Sequence, residues 1–273
     1  MSGYGKPNPT YKLKKINQLI KIGTDKSEPL KYSNTRDPMR KIIITDLTRF
    51  SNREIVCTAG IDVNNGECVR PMPYLRYSYC KELNLLPGAI LSGNFSALTS
   101  IERPHSEDMH HENLQFHGHC SDSEFRDVLL QSCSENIEDG FNVQLENRQK
   151  HIPLELAPSK SIITISVNPN AVKIVQDQYD SKKIKIHFTD NNFKEYSFLS
   201  ITDLGFHSYA ENHYKETNNY NEINSVIKSQ KEVFLRIGLG RIHTSQQDKT
   251  GFWIQVNGIY SFPDYFKNAR RYE

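Results

Sequence analysis

The strongest constraint on this chain is a strict two-residue alternation near its C-terminus. Residues 233–266 read VFLRIGLGRIHTSQQDKTGFWIQVNGIYSFPDYF and contain the only tryptophan. In a strand, successive side chains point to opposite faces. Val233, Leu235, Ile237 and Leu239 therefore share one face, while Phe234, Arg236, Gly238 and Gly240 share the other. On the next strand Phe252, Ile254, Val256 and Gly258 form the apolar face, opposite Trp253, Gln255 and Asn257. An interior strand pair is built this way, and so is a surface that grips a polymer. The alternation places Arg236 outward, beside two glycines that leave room for a close approach or mark a bulge. Arg241 falls on the apolar side unless the strand has ended, with His243 just beyond it. Trp253 beside two amides is a ligand platform, or a contact with a neighbouring barrel.

The same rhythm runs through the rest of the chain. Short β-branched or alternating runs at 42–45, 54–61, 67–70, 89–98 and 115–120 predict five strands. A second set is predicted at 161–167, 172–176, 183–188, 195–200, 233–241 and 252–259. Asn64-Asn65-Gly66 is a hairpin signal, because such a turn needs positive φ. Helical spacing appears at 123–133 and at 222–231, where Ile223, Val226 and Ile227 share a face. Helices do not alternate with strands, which argues against a parallel α/β sheet. The expectation is an all-β protein with accessory helices, arranged as two small Greek-key barrels. The predicted divisions are a basic arm at 1–40, one barrel at 41–155 and a second at 156–273, with the boundary in the proline-bearing stretch 151–159.

Lys and Arg total 34 against 32 Asp and Glu, so charge neither demands nor excludes a nucleic-acid partner. The excess of basic residues in the first forty suits either phosphate contact or a solvated leader. Five cysteines without a C-x-x-C pair predict free thiols. The N-terminus lacks an apolar run behind its positive charges, and no run approaches a membrane span, so a cytoplasmic location is expected.

Four pieces carry a family resemblance: IIITDLTRF (42–50), VCTAGIDVNNGECVRPMP (56–73), RPHSED (103–108), and FLRIGLGRIH followed by FWIQVNGIYSFPDYF. Together they resemble bacterial dual OB-fold domain proteins over residues 41–266. The resemblance implies two tandem OB-like barrels and a module that binds nucleic acid or a nucleotide. It also implies a place beside prokaryotic defence machinery, and it brings no catalytic residues.

OB-folds hold single strands by stacking bases on aromatic rings while cations follow the backbone. Arg70, Tyr74, Arg76, Tyr77 and Tyr79 interleave cations and rings in VRPMPYLRYSY, a stretch that either stacks bases or packs its tyrosines over the barrel end. Arg236, Arg241, His243, Trp253, Gln255 and Asn257 make the second candidate strip. The cluster His105, Glu107, Asp108, His110, His111, Glu112, His117, His119 and Cys120 offers imidazoles and carboxylates suited to zinc or manganese. Its spacing fits no named metal signature, so neither metal nor cofactor is assigned. The strand-end carboxylates Asp46, Asp62 and Asp203 are read as turn caps. No G-x-S-x-G elbow, phosphate loop or dinucleotide fingerprint is present. The reading is a non-catalytic module for single-stranded or structured DNA or RNA, or a nucleotide, serving a larger assembly with possible protein partners. The alternatives are a metal-dependent nuclease using His105, Glu107 and Asp108, and a protein-interaction subunit.

Overall fold

The computed structural model describes residues 39–100, 102–180, 183–246, 248–264 and 269–272. Of the basic arm at 1–40, only Met39 and Arg40 fall within them. The first barrel begins as a meander of β1 (Met39–Arg49), β2 (Ile55–Asp62) and β3 (Cys68–Met72), with Ile43 opposite Ile61 and Gly60 opposite Val69. The β2–β3 turn forms where Asn64-Asn65-Gly66 predicts it. Gly66 takes a φ of 74° and donates to the Asp62 carbonyl, and the Asp62 carboxylate accepts from the Asn64 amide. After β4 (Leu75–Arg76) and α1 (Tyr77–Glu82) come β5 (Ala89–Ala97) and β6 (Asp108–His119). β5 pairs antiparallel with both β1 and β6, and β6 pairs parallel with β3. The ring β1–β2–β3–β6–β5 therefore closes on itself and leaves no bare edge.

Helix α2 (Asp122–Gln131) starts with a reciprocal cap: Ser121 Oγ accepts from the Glu124 amide, and the Glu124 carboxylate accepts from the Ser121 amide. It leads through β7 (Cys133–Ser134), α3 (Ile137–Phe141) and β8 (His151–Pro153). The second barrel follows as β9 (Ile162–Val167), β10 (Lys173–Gln176), β11 (Ile184–Thr189) and β12 (Glu195–Ile201). Helices α4 (Leu204–Thr217) and α5 (Asn221–Ser229) then precede β13 (Glu232–Leu239), β14 (His243–Thr244) and β15 (Thr250–Phe262). Its path is β10-β11-β12-β15-β13-β9, and β12 pairs parallel with β15 as β3 does with β6. Pro169 interrupts the first stave, so that β9 pairs with β13 while β10 pairs with β11. One stretch of chain thus supplies strands near both ends of the second sheet. Both halves follow the same order, first-second-third-fifth-fourth, and the expected pair of OB barrels is what forms.

Each barrel has its own core, and a third cluster joins them. Ile43, Ile61, Phe125, Leu129, Phe234, Tyr260 and Phe262 pack together with almost no exposure, drawing on β1, β2, α2, β13 and β15. Each fully buried side chain of this size contributes roughly 1.5–3 kcal/mol. The seam is accordingly built like an interior. The linker is part of the second barrel as well: β7 pairs with β9, and β8 pairs with β15. No helix among the described residues is long and apolar enough to cross a membrane.

Candidate functional site

The structure scatters the ten candidate binding residues: some lie at a buried seam, Trp253, Gln255 and His243 line an open groove, and Arg76 and Tyr77 belong to neither. Arg236 belongs to the seam, and the outward placement read from alternation is corrected. It is 1% exposed, because the face of β13 opposite the barrel core packs on the first barrel instead of facing water. Its Nε and Nη2 donate to Asp46 Oδ2 at 2.8 and 2.7 Å, and its Nη1 donates to Thr164 Oγ1 at 2.8 Å. Burial opposes its charge, but Asp46 and Cys68 more than reverse that and raise its pKa. The neighbouring glycine does not make room for a ligand either. A Cβ at Gly238 would collide with the amide of Asn257, which is itself buried and accepts from Thr202 Oγ1 and Gln255 Nε2.

Arg70 is likewise buried, and its expected exposure beside the tyrosines is corrected. It donates from Nε to Asp108 Oδ1 at 2.5 Å and lies 3.0 Å from His105 Nδ1. Asp108 Oδ2 accepts from Arg241 Nη2 at 2.7 Å, and Arg241, half-exposed, also donates to the Tyr74 hydroxyl. Glu107 accepts from the Ser161 and Ile162 amides and from Ser161 Oγ across the seam. The acids that a nuclease needs are thus engaged by arginines and amides. Burial, followed by Arg241 and Arg70, depresses the His105 pKa to about 3, so its ring is neutral. Among the described residues no group of three His, Cys, Asp or Glu is arranged to hold a metal. His117 and His119 are exposed, with His117 Nε2 2.6 Å from Ser92 Oγ. Tyr77 and Tyr79 pack against the first core, Tyr77 edge-on to Tyr272, while Arg76 is exposed. Asp203 caps α4 and pairs with Arg270, and Asp62 holds its turn.

The open groove lies on the second barrel and contains Trp253, Gln255 and His243. Two cavities of about 690 and 600 Å³ flank Trp253 and share it and Lys150 as a common wall. The linker builds that wall. β8 zips onto the start of β15, with His151 opposite Trp253, and the Ile254 amide donates to the Lys150 carbonyl. The His151 ring therefore stacks on Trp253 at 5.1 Å with an interplanar angle of 24°. Indole Nε1 donates to the His243 carbonyl, which fixes the ring orientation. Opposite stand Phe198 and Ser200 of β12, Lys185 of β11 and the exposed Tyr179. Lys150 Nζ lies 5.6 Å over the Phe198 ring, and His187 meets that ring edge-on at 4.3 Å.

Cations outnumber acids here. Arg148, Lys150, Lys185 and Lys249 line the two cavities, against Glu146 and Asp177. Burial, and after it the nearby Lys185, lower the Lys150 pKa, with Asp177 opposing them. Burial and Lys249 likewise lower the His151 pKa, keeping the stacking imidazole neutral. Lys185 is engaged by Ser200 Oγ at 2.9 Å and by Asp177 at 3.5 Å, so the groove offers flat rings beside a net excess of cations, not a set of free lysines.

Sequence reasoning found Trp253 and missed Phe198, Lys150 and Lys185. Lys185 was readable, since it alternates with the inward Ile184 and Ile186. Phe198 was not. Strict alternation puts it inside with Tyr196, yet Tyr196, Leu199 and Ile201 are the buried residues. The pairing of β11 with β12 slips between Ile186 and Phe188, and Phe198 adopts a φ of 56°. That bulge turns the ring outward into the groove, at a backbone cost of order 1–3 kcal/mol for a bulky residue.

Comparison with known proteins adds the following. The family description "Dual OB-containing domain" matches residues 41–259. No curated protein sequence matches the chain. Among solved structures, a murine DNA binding protein bound with ds DNA aligns at 8% identity and a TM-score of 0.28, covering 81% of this chain and 94% of that one. At so low a TM-score the likeness carries no argument about this chain.

Proposed function

The chain belongs to the dual OB-containing domain family, and from that premise we propose that it is a non-catalytic module that binds single-stranded nucleic acid across the Trp253 groove. The observation that carries this reading is the placement of Trp253 and Phe198 as rings on adjacent strands of one groove, with Lys150 over Phe198 and Lys185 on the next strand beyond it. Bases stack on such rings for roughly 1–3 kcal/mol each, and the lysines follow the phosphates. The linker segment that carries Lys150 and His151 closes one side of the groove. A flexible single strand enters a groove walled in this way more readily than a duplex does, because its bases can turn out of the stack.

A panel of labelled single-stranded DNA, single-stranded RNA and duplex DNA, titrated by anisotropy at several salt concentrations, tests the proposal. The expected result is affinity for the single strands that falls steeply with salt. Negligible binding to every single strand at low salt defeats it, and a strong preference for duplex replaces it with a different binding mode. The role in a defence or nucleic-acid-processing assembly rests on the family resemblance. A pull-down from nuclease-treated host lysate tests whether partners remain without nucleic acid to bridge them.

A further inference from the structure

We infer that the cavity at the seam between the two barrels is a second ligand site, built for a nucleotide whose base carries an exocyclic amino group. This cavity, about 420 Å³, is separate from the groove and shares no lining residue with it. Its size falls in the range of small-molecule sites, which favour interfaces between folded units. Ile61, Ile162 and Ile163 supply apolar wall. Behind that wall the Arg236 guanidinium, 1% exposed and held by Asp46 and Thr164, gives the cavity floor a positive field without offering a face to a ligand. A planar heteroaromatic ring fills the apolar side, and the buried cation behind it favours a ligand that carries negative charge.

The polar part of the wall selects the edge of that ring. Glu107 is 4% exposed and lines the cavity. Its Oε1 accepts from two amides, while among the described residues its Oε2 accepts only from Ser161 Oγ. A carboxylate has about four acceptor positions, so Oε2 retains one for a donor. An amino group on the ring fits it, and a ring carbonyl in that place meets a like partial charge. At the mouth, Arg40 is already bonded to Glu67 at 2.9 Å, whereas Lys160 is exposed and offers its ammonium to a phosphate.

Isothermal titration of the full chain with AMP, IMP and inorganic phosphate tests this site, since AMP and IMP differ at the amino position. The expected result is saturable one-to-one binding of AMP, with IMP and phosphate each at least about tenfold weaker, a gap of about 1.4 kcal/mol. Ser106→Trp at the exposed rim and Lys160→Ala should each weaken AMP by at least about tenfold, with far-UV circular dichroism confirming the fold. Both variants should leave oligonucleotide binding unchanged, and Trp253→Ala should leave AMP binding unchanged. Absence of AMP binding overturns the site, as does AMP binding that survives both rim variants. Equal affinity for IMP overturns the amino-group assignment. Loss of AMP binding in Trp253→Ala moves the nucleotide to the groove.

Discussion

Replacing Arg236 by methionine separates the buried seam from a binding surface, and its magnitude follows from the structure. Arg236 is 1% exposed and Asp46 is fully buried. Methionine keeps an unbranched apolar side chain but removes the donors at 2.8 and 2.7 Å from Asp46 Oδ2. Among the described residues, the carboxylate then keeps only the Thr45 hydroxyl at 2.8 Å, and its Oδ1 already has no partner. Breaking a buried ion pair from one side costs about 3–5 kcal/mol, because the remaining charge is stranded in low dielectric. For a folded unit of this size that corresponds to a fall in Tm of about 6–20 °C. Thermal and urea unfolding followed by circular dichroism measures it. The double variant Arg236→Met with Asp46→Leu should recover much of the loss, since an apolar pair leaves no uncompensated charge. An Arg236→Met protein of wild-type stability that has lost oligonucleotide binding would refute this reasoning and return Arg236 to the ligand surface.

Three further outcomes follow from the same geometry. Lys150→Ala and Lys185→Ala should each flatten the slope of log affinity against log salt by about 0.7, the single-strand value per phosphate contact; unchanged slopes would remove both lysines from the interface. Phe198→Gly should weaken single-strand binding by about 1–3 kcal/mol with little loss of stability, because glycine accepts the positive φ that phenylalanine holds under strain; undiminished affinity would make the ring structural. Acid should loosen the seam. Burial depresses the folded-state pKa of His105 to about 3 and of His207 to about 4, from an ordinary value of about 6.5. The unfolded chain therefore takes up protons first, and stability falls as pH drops from about 6.5 towards 4. His105→Gln should blunt that fall, and an identical pH profile for the variant would contradict the assignment.

The strands were legible because their period was clean, and the errors arose where a second surface intervened. Ile184, Ile186 and Phe188 alternate and are buried, as β11 requires. The same rule sorted Arg236 correctly away from the barrel core but equated that other face with water. In a tandem fold the other face can be the neighbour's contact, and Phe234 on the same side packs with Tyr260, Phe262 and Ile43. Half of β6 went unseen because Asp108-Met109-His110-His111-Glu112 has little β-propensity; it is held in the sheet by pairing with β5 and β3. Helix α4 has only a weak apolar stripe, with Phe206, His207 and Ala210 buried, so no spacing announced it. The Trp253 half of the groove was readable from one strand. The Phe198 half depended on a bulge, and the Lys150 half on a linker that returns to β15. Neither leaves a local signature.

Because Trp253 is the only tryptophan, its intrinsic emission reports the groove alone and tests the central claim most directly. Titrating a short unlabelled single-stranded oligonucleotide should quench or shift that emission saturably, with a midpoint matching the anisotropy titration and the same steep salt dependence. Binding by anisotropy with no change in tryptophan emission would place the nucleic acid elsewhere on the molecule and contradict the account.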